Sequence, residues 1–182
     1  MKDFDIPLQA AIRVDGHRSV DDILEAVARA LQAEGRSVAG FLQRACDGNG
    51  ECCNQIDLED IATGERHVIS QALGSGARGC RLDSQALAGV AGPLLASLDR
   101  RPDLLILNRF GKGESEGQGF RAVIEEACAR GIPLLTAVRE NYVEAWQDFV
   151  GELGIVLPPN QAGVIEWARD AIAAAERLGD AA

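Results

Sequence analysis

Residues 104–121 read LLILNRFGKGESEGQGFR, and this stretch is the strongest indication of the fold. An unbroken apolar run gives way at Asn108 to polar and charged residues interspersed with four glycines. Strands of a parallel sheet read as continuous apolar runs, because both faces of such a sheet are covered. The side chains that follow such a strand lie at the carboxyl edge of the sheet, where open α/β folds bind ligands. The stretch therefore predicts a parallel sheet and the place of a binding site.

Strand and helix patterns alternate along the rest of the chain. Residues 55–61 and 66–70 are expected to pair as one β-hairpin around a Thr63-Gly64 turn. The order predicts an α/β fold, a three-layer sandwich with a mostly parallel sheet and one β-hairpin insertion. No repeat or linker divides the sequence, so residues 1–182 are expected to form a single α/β domain. Other strands are predicted at 8–14, 37–42, 132–138 and 155–157, and helices at 19–34, 84–98, 120–130, 143–153 and 161–178.

Composition excludes several classes of partner. The net charge is -10, with 18 Lys and Arg against 28 Asp and Glu. Nucleic-acid binding needs clustered basic residues, so we expect no nucleic acid partner. No apolar run approaches the roughly 20 residues of a spanning helix, so no membrane insertion is expected. Residues 1–7 carry acidic groups where a signal peptide would be basic, and this favours a cytoplasmic location.

Five cysteines leave two alternatives open. Cys128 falls on the apolar stripe of a helix and is interpreted as a core residue. Zinc ligands are usually spaced two to four residues apart, and the chain has no C-x-x-C pair. Free or redox-sensitive thiols are therefore favoured, and a cysteine-based metal or redox module is the alternative. The candidate metal ligands are Cys46, Cys52, Cys53 and Cys80.

The first strand, loop and helix have the layout of a phosphate-binding P-loop. A working loop needs several glycines, a lysine for the β- and γ-phosphates, and Ser or Thr for magnesium. Residues 14–20 read VDGHRSV, with one glycine and no lysine. Asp15 also places a negative charge where an anion would lie. A plain strand-to-helix turn is therefore the favoured interpretation of this segment.

Residues 74–79, GSGARG, match the letters of the dinucleotide fingerprint. That fingerprint requires a helix to begin at the loop, whereas here four residues intervene before the helix predicted at 84. Dinucleotide binding is disfavoured for this reason. Successive N–H groups of a glycine-rich loop still form a concave site for an anion, and Arg78 and Arg81 would add positive charge. An ordinary surface loop is the alternative.

Asn108 occupies the strand end where hydrolytic P-loop enzymes place an acidic residue. A neutral amide is no general base, and it is a poorer magnesium ligand than a carboxylate. The charged residues Lys112, Glu114 and Arg121 follow within the glycine-rich stretch. We expect them to form a charged constellation over a pocket, and a solvated loop with ordinary ion pairs is the alternative.

The order of these pieces resembles the thermostable nucleoside-triphosphatase family. The resemblance rests on residues 38–41, the hairpin around 56–65, and residues 111–112, 120–121 and 133–138. Residues 69–71, 79–83 and 108–114 more closely resemble an uncharacterised bacterial domain family related to those enzymes and often associated with molybdenum uptake. The resemblance implies a P-loop fold with a hairpin insertion. It does not extend to a Gly-Lys-Ser/Thr loop or to an acidic residue at Asn108, so hydrolysis is not carried over.

The favoured hypothesis is a non-hydrolytic binding or regulatory protein with a degenerate P-loop fold. Its ligand would be a small anion: a phosphorylated metabolite or, from the resemblance alone, a molybdate-like oxyanion. The alternatives are a nucleoside triphosphatase with residual activity that uses Glu114 or Asp15 with magnesium, the cysteine-based module, and a homodimer formed through the hairpin. The sequence identifies no cofactor. In the favoured hypothesis the anion faces Gln71, Arg78, Arg81, Lys112 and Arg121, with Asn108 and Glu114 fixing their geometry.

Overall fold

A computed structural model describes residues 6–14, 20–44, 56–71 and 81–180, with the backbone alone at residues 71 and 81. Helices cover both faces of a central sheet, which gives the predicted three layers. The strands are β1 Gln9–Val14, β2 Val38–Arg44, β3 Asp57–Asp60, β4 Arg66–Val68, β5 Ser70–Gln71, β6 Arg81–Leu82, β7 Leu104–Ile106, β8 Leu134–Arg139 and β9 Gly154–Leu157; the helices are α1 Val20–Ala33, α2 Ser84–Ser97, α3 Lys112–Ser115, α4 Arg121–Ala129, α5 Val143–Val150 and α6 Gln161–Asp180.

The central sheet has the strand order β4-β3-β2-β7-β8-β1-β9. Strands β2, β7, β8, β1 and β9 are parallel, and the β3–β4 hairpin adds two antiparallel strands beside β2. The predicted mostly parallel sheet with one hairpin insertion is therefore confirmed. A separate two-stranded sheet pairs β5 with β6.

Alternate residues of the central strands enter two different cores. Leu104 and Ile106 of β7 pack in the layer that holds α1 and α6. Leu105, which lies between them, packs in the layer that holds α2, α4 and α5. All three side chains are fully buried. This burial on both faces explains why the strand has no polar alternation in the sequence.

Two glycines hold backbone conformations that other residues rarely adopt. Gly35 has φ +79° and follows α1, as predicted for the residue that terminates this helix. Gly40, in the middle of β2, has φ +114°, and its carbonyl accepts a hydrogen bond from the Ile61 N–H at 3.0 Å. A Cβ at Gly40 would lie 1.8 Å from the Ile106 carbonyl oxygen of β7. The close contact between β2 and β7 therefore requires glycine at this position.

Several predicted element boundaries were wrong. The strand expected at 104–108 is regular only to Ile106, and the helix expected at 143–153 ends at Val150. The last helix continues past Gly179 to Asp180, although Gly179 was expected to end it. The short helix α3 and the strand β6 at residues 81–82 were not predicted from the sequence. None of the described helices has the length and apolar run that crossing a membrane requires.

Arg44 ties helix α1 to the hairpin. Its guanidinium contacts the Glu25 carboxylate of α1 and both carboxylate oxygens of Glu59 in β3, the latter at 3.0 Å. Hydrogen bonds from Arg44 hold the pKa values of both glutamates below their ordinary value. The three side chains are about one-fifth exposed, so solvent screens the interaction only in part.

The Arg44→Met variant is expected to lose about 1–2 kcal/mol of unfolding free energy at pH 7. A carboxyl group whose pKa is depressed by folding stabilises the protein above its unfolded pKa, and this contribution disappears as the pH falls through the folded pKa. The difference between parent and variant should therefore shrink below about pH 4.5. Urea denaturation at pH 7 and at pH 3 measures it, with the exposed Arg177→Met as the matched control. A difference of equal size at both pH values would contradict this account.

Candidate anion-binding site

The carboxyl edge of the sheet brings together segments that are far apart in the sequence. Helix α1 begins at this edge, since it follows β1, and the chain leaves β7 at the same edge. Asp21 in the first turn of α1 thus meets Asn108, which lies 87 positions later. Asn108, the first polar residue after β7, therefore contacts the start of α1.

A β-bulge changes the direction of the side chains at the end of β7. The N–H groups of Leu105 and Leu107 donate to the carbonyls of Pro133 and Leu135, so both strands advance two residues at a time. The next bond joins the Phe110 N–H to the Ala137 carbonyl at 2.8 Å, which is three residues further on one strand and two on the other. One extra residue is therefore inserted at 108–109. Such insertions change side-chain direction and are common beside functional sites.

Asp21, Asn108 and Arg109 form a group that we call the strand-end cluster. The Asn108 side-chain nitrogen donates to Asp21 Oδ1 at 3.0 Å, and Arg109 Nη2 lies 3.9 Å from Asp21 Oδ2. Asn108 is only 6% exposed, and its Oδ1 has no hydrogen-bond partner among the described residues. Arg109 Nε is likewise buried without a partner there. Unmatched buried polar atoms are rare, so this cluster is a candidate for ligand contact.

Two more arginines lie at the same edge. Arg139 ends β8 and stands opposite Val14 of β1 in the parallel register. Its side chain is exposed. Arg13 of β1 is paired with Glu140 at 3.2 Å, so part of its charge is already balanced. The ends of β1, β7 and β8 therefore each provide a guanidinium group, although the protein as a whole is acidic.

Glu114 is buried and shapes the loop between β7 and α4. Its Oε2 accepts the Gly111 N–H and its Oε1 accepts the Phe120 N–H, both at 3.1 Å. A Cβ at Gly119 would lie 2.3 Å from Glu114 Oε1, so glycine is needed there. Because both carboxylate oxygens bond to backbone groups, Glu114 holds the loop in shape. The part that Glu114 would take in a ligand site stays a prediction.

Arg121 is engaged by the structure around it. Its Nε donates to Glu125 at 2.8 Å and its Nη1 donates to the Glu114 carbonyl at 3.1 Å. The guanidinium also lies 4.5 Å from the centre of the Phe149 ring. Arg121 therefore joins α4 to the Glu114 loop and to α5. Any anion that it binds has to compete with these contacts.

Lys112 does not join Glu114 and Arg121. Its side chain is 74% exposed, and its Nζ lies 3.9 Å from Glu116 on the next turn. Helix α3 places Lys112 on its outer surface, whereas Glu114 points inward. The expected constellation of three charges is therefore only partly assembled: Glu114 and Arg121 touch, and Lys112 lies apart.

Gln71 and Arg81 face each other as paired positions of β5 and β6. Strand β4 runs in the same direction as β2, so the chain reaches β5 at the carboxyl edge. The two positions thus lie at the predicted edge of the sheet, although β3 and β2 separate β4 from β7. The other residues predicted for a ligand or a metal lie outside the described residues: Arg78, Cys46, Cys52, Cys53 and Cys80.

Cys128 agrees with its interpretation as a packing residue. It is partly buried against the core, and burial raises the pKa of its thiol to about 11. Its thiol is therefore protonated at neutral pH and a weak nucleophile. Within the described ranges, no group of three or more His, Cys, Asp or Glu side chains is placed to hold a metal ion.

A cleft of about 470 Å³ lies elsewhere, between α2 and the β3–β4 hairpin. Its walls include the apolar side chains of Phe41, Pro93 and Leu94, and Asp60 and Glu65 line it as well. It borders the amino-terminal half of β2, and none of the charged residues predicted for the site lines it. We place the candidate site at the carboxyl edge because the unmatched buried polar atoms of the strand-end cluster lie there.

Sequence reasoning missed Asp21 and Arg109. Asp21 reads as an ordinary acidic residue in the first turn of a helix, where it favours the helix dipole. Arg109 was read as part of the loop, since the bulge that re-aims it leaves no pattern in the sequence. One signal was available: a charged residue directly after a buried strand, at the edge where the next helix of a parallel sheet begins.

Solved structures share this fold. A human cancer-related nucleoside triphosphatase superposes with a TM-score of 0.64 and 16% identity, covering 91% of this chain and 95% of that one. THEP1 from the hyperthermophile Aquifex aeolicus superposes with a TM-score of 0.60 and 14% identity, covering 89% and 95%. At these identities the similarity shows the fold alone, and this shared fold agrees with the α/β sandwich that the resemblance implied.

A curated relative from Bradyrhizobium diazoefficiens is named "Molybdenum import ATP-binding protein ModC 2". It is 34% identical over 169 residues, which are 93% of this chain but only 19% of that protein. The family model described as "Protein of unknown function (DUF2478)" matches residues 9–167. Since that match covers most of the chain and its central sheet, the protein belongs to the DUF2478 family.

Proposed function

We propose that this protein binds a small anionic ligand at the carboxyl edge of the sheet and does not hydrolyse nucleoside triphosphates. The observation that carries the proposal is the strand-end cluster, in which a buried arginine donor and a buried amide oxygen lack partners among the described residues. The P-loop scaffold supplies the place of the site, and the side chains supply a different chemistry from that of the hydrolases.

The absence of hydrolysis is argued from three positions. The β1–α1 segment has no Gly-Lys-Ser/Thr sequence, since residues 14–20 contain one glycine and no lysine. Asn108 replaces the acidic residue at the end of the strand. Glu114, considered for catalysis, has both carboxylate oxygens bonded to backbone N–H groups. Phosphoryl transfer depends on electrostatic stabilisation by the metal and lysine, and these residues provide neither group.

Anion binding is argued from the donors that remain. Arg109 Nε is unmatched within the described ranges, and the exposed Arg139 ends the neighbouring strand β8. Arginine binds phosphate-like oxyanions through paired N–H groups. Residues predicted from the sequence would extend the site: Lys112, Arg121, Gln71, Arg78 and Arg81, with Asn108 and Glu114 holding the geometry.

The ligand class is argued from the guanidinium donors of the site and from the relatives. A phosphorylated metabolite and a molybdate-like oxyanion both offer several oxygens to one or two guanidinium groups. The name of the Bradyrhizobium relative favours the oxyanion, but it describes a protein of which this chain matches about a fifth. The rival candidate, a nucleoside triphosphatase, is favoured by the fold shared with the human and Aquifex proteins.

A phosphate-release assay separates the two candidates. Purified protein is incubated with magnesium and a panel of nucleoside triphosphates, and released phosphate is measured against protein-free controls. We expect no release above the control. Turnover that disappears in an Asp15→Ala variant would establish the hydrolase and refute the non-hydrolytic proposal.

Arg109→Ala is expected to weaken the binding of inorganic oxyanions about tenfold or more, because hydrogen bonds to charged groups contribute about 1.5–3 kcal/mol. Isothermal titration calorimetry with phosphate, sulfate and molybdate measures the change. Arg177→Ala is the matched control: this exposed arginine lies in the last turn of α6, at the opposite edge of the sheet. Lys112→Ala and Arg81→Ala test the positions predicted from the sequence. Equal affinities for the parent and Arg109→Ala would place the site elsewhere.

A further inference from the structure

The strand-end cluster places two acceptor groups, the Asp21 carboxylate and the Asn108 side-chain oxygen, beside one guanidinium. A carboxylate only accepts hydrogen bonds, so Asn108 must turn its NH2 group toward Asp21. This contact, at 3.0 Å, fixes the amide orientation and leaves Asn108 Oδ1 as a buried acceptor without a partner in the described part of the chain. Asp21 itself carries two acceptor oxygens, and its side chain is 35% exposed. Two acceptor groups therefore stand beside any ligand that enters next to Asp21.

The donors of the cluster come from one residue. Arg109 Nη2 lies 3.9 Å from Asp21 Oδ2, and Arg109 Nε has no partner among the described residues. An anion placed against this guanidinium would satisfy Nε with one oxygen. Its other oxygens would then face the Asp21 carboxylate and the Asn108 carbonyl oxygen. A ligand whose oxygens can only accept hydrogen bonds is therefore repelled by the Asp21 carboxylate and by the Asn108 oxygen.

We infer that the site selects an oxyanion that carries a proton, and that inorganic hydrogen phosphate is the ligand class it takes. Such an ion presents bare oxygens to Arg109 and donates its O–H group to Asp21 or to Asn108 Oδ1. Sulfate and molybdate are fully deprotonated at neutral pH and lack this donor. A site built to pair with a ligand hydroxyl rejects an analogue that lacks it, because its own polar groups are left unmatched.

This inference rests on the proposed function and narrows it. The proposal admits phosphate-like and molybdate-like anions, whereas the two acceptor groups beside Arg109 favour the former. It also separates inorganic phosphate from phosphate monoesters, whose second pKa of about 6 leaves most molecules without a proton at neutral pH. Asp21 is the residue assigned to this selectivity, because it bears the negative charge that a deprotonated ligand would face.

The test compares inorganic phosphate, sulfate and molybdate by calorimetry at about pH 7.5 and constant ionic strength. For the parent protein we expect phosphate to bind about tenfold or more tightly than either of the other two ions. In Asp21→Asn the repelling charge is gone, so the affinity for sulfate and molybdate should rise. The ratio of phosphate affinity to sulfate or molybdate affinity should then fall to about threefold or less. Asp170→Asn, an exposed residue on α6, is the control and should keep the parental ratio.

The outcomes distinguish this inference from the proposal beneath it. Sulfate or molybdate binding as tightly as phosphate would overturn the inference and leave anion binding intact. If Asp21→Asn kept the parental ratio of phosphate affinity to sulfate or molybdate affinity, Asp21 would not be the residue that sets the selectivity. No binding of any of the three ions would overturn both statements. The comparison of ions in the parent protein does not depend on the folding of any variant.

Discussion

Replacement of Gly40 by alanine should unfold or severely destabilise this protein, with an expected loss of about 4 kcal/mol or more. Two costs add at this position. The backbone has φ +114°, a conformation that side chains rarely tolerate, and the new Cβ would lie 1.8 Å from the Ile106 carbonyl oxygen. The obstacle is backbone of a central strand, so it cannot turn aside as a flexible side chain would. Urea denaturation followed by circular dichroism measures the loss.

Gly35→Ala is the matched control for this experiment. Gly35 also has a positive φ, +79°, but no atom lies within 4 Å of the position that an added Cβ would take. Its replacement should cost about 1–2 kcal/mol, from the backbone conformation alone. The difference between the two variants isolates the contact between β2 and β7. Equal losses in both variants would show that the strands can separate at Gly40 without penalty.

Replacement of Glu114 by alanine should lower the free energy of unfolding by about 2–4 kcal/mol. The change leaves the N–H groups of Gly111 and Phe120 without their acceptors, and the Phe120 residue is buried. Glu114→Gln keeps one acceptor oxygen but turns an NH2 group toward the other N–H, so an intermediate loss is expected. Chemical denaturation gives the free energies, and hydrogen exchange of the Phe120 amide reports the loop directly.

Glu116→Ala serves as the control from the same short segment. The Glu116 side chain is 57% exposed, and its contact with Lys112 at 3.9 Å is a surface ion pair. Such pairs contribute little, so the loss should stay below about 0.5 kcal/mol. If Glu114→Ala were no more costly than this control, Glu114 would be free to contact a ligand, and the assignment of its carboxylate to the loop would be wrong.

Much of the fold was predictable because burial on two faces leaves a direct mark on the sequence. The apolar run of residues 104–107 predicted a central parallel strand, and β7 lies between β2 and β8. The hairpin was predictable from a different pattern, the alternation of polar and apolar residues on both sides of Thr63-Gly64, which is typical of strands with one buried face. Boundaries were less accurate. Helix α3 was missed because it depends on the Glu114 carboxylate reaching back to Gly111, a contact that apolar periodicity does not record.

The edge of the sheet at which Asn108 lies was predictable, but the residues that it meets there were not. Asn108 follows a buried strand, and the rule for parallel sheets places it at the carboxyl edge. Its partner Asp21 is 87 positions away, and only the strand order, with β8 between β1 and β7, brings the two together. Arg109 depends on a single inserted residue. Lys112 and Arg121 were predicted as ligand contacts from their positive charge alone. Lys112 is largely exposed, and Arg121 already contacts Glu125 and Phe149.

The packing around Phe110 gives the protein a built-in optical reporter. Phe110 directly follows Arg109, and its ring lies 5.4 Å from the ring of Trp146, which is completely shielded from water. The second tryptophan, Trp167, lies in the opposite layer, where its indole N–H donates to the Pro7 carbonyl. A shift of the bulge when an anion binds would therefore change the emission of one indole and leave the other as an internal reference, so occupancy can be followed without a label.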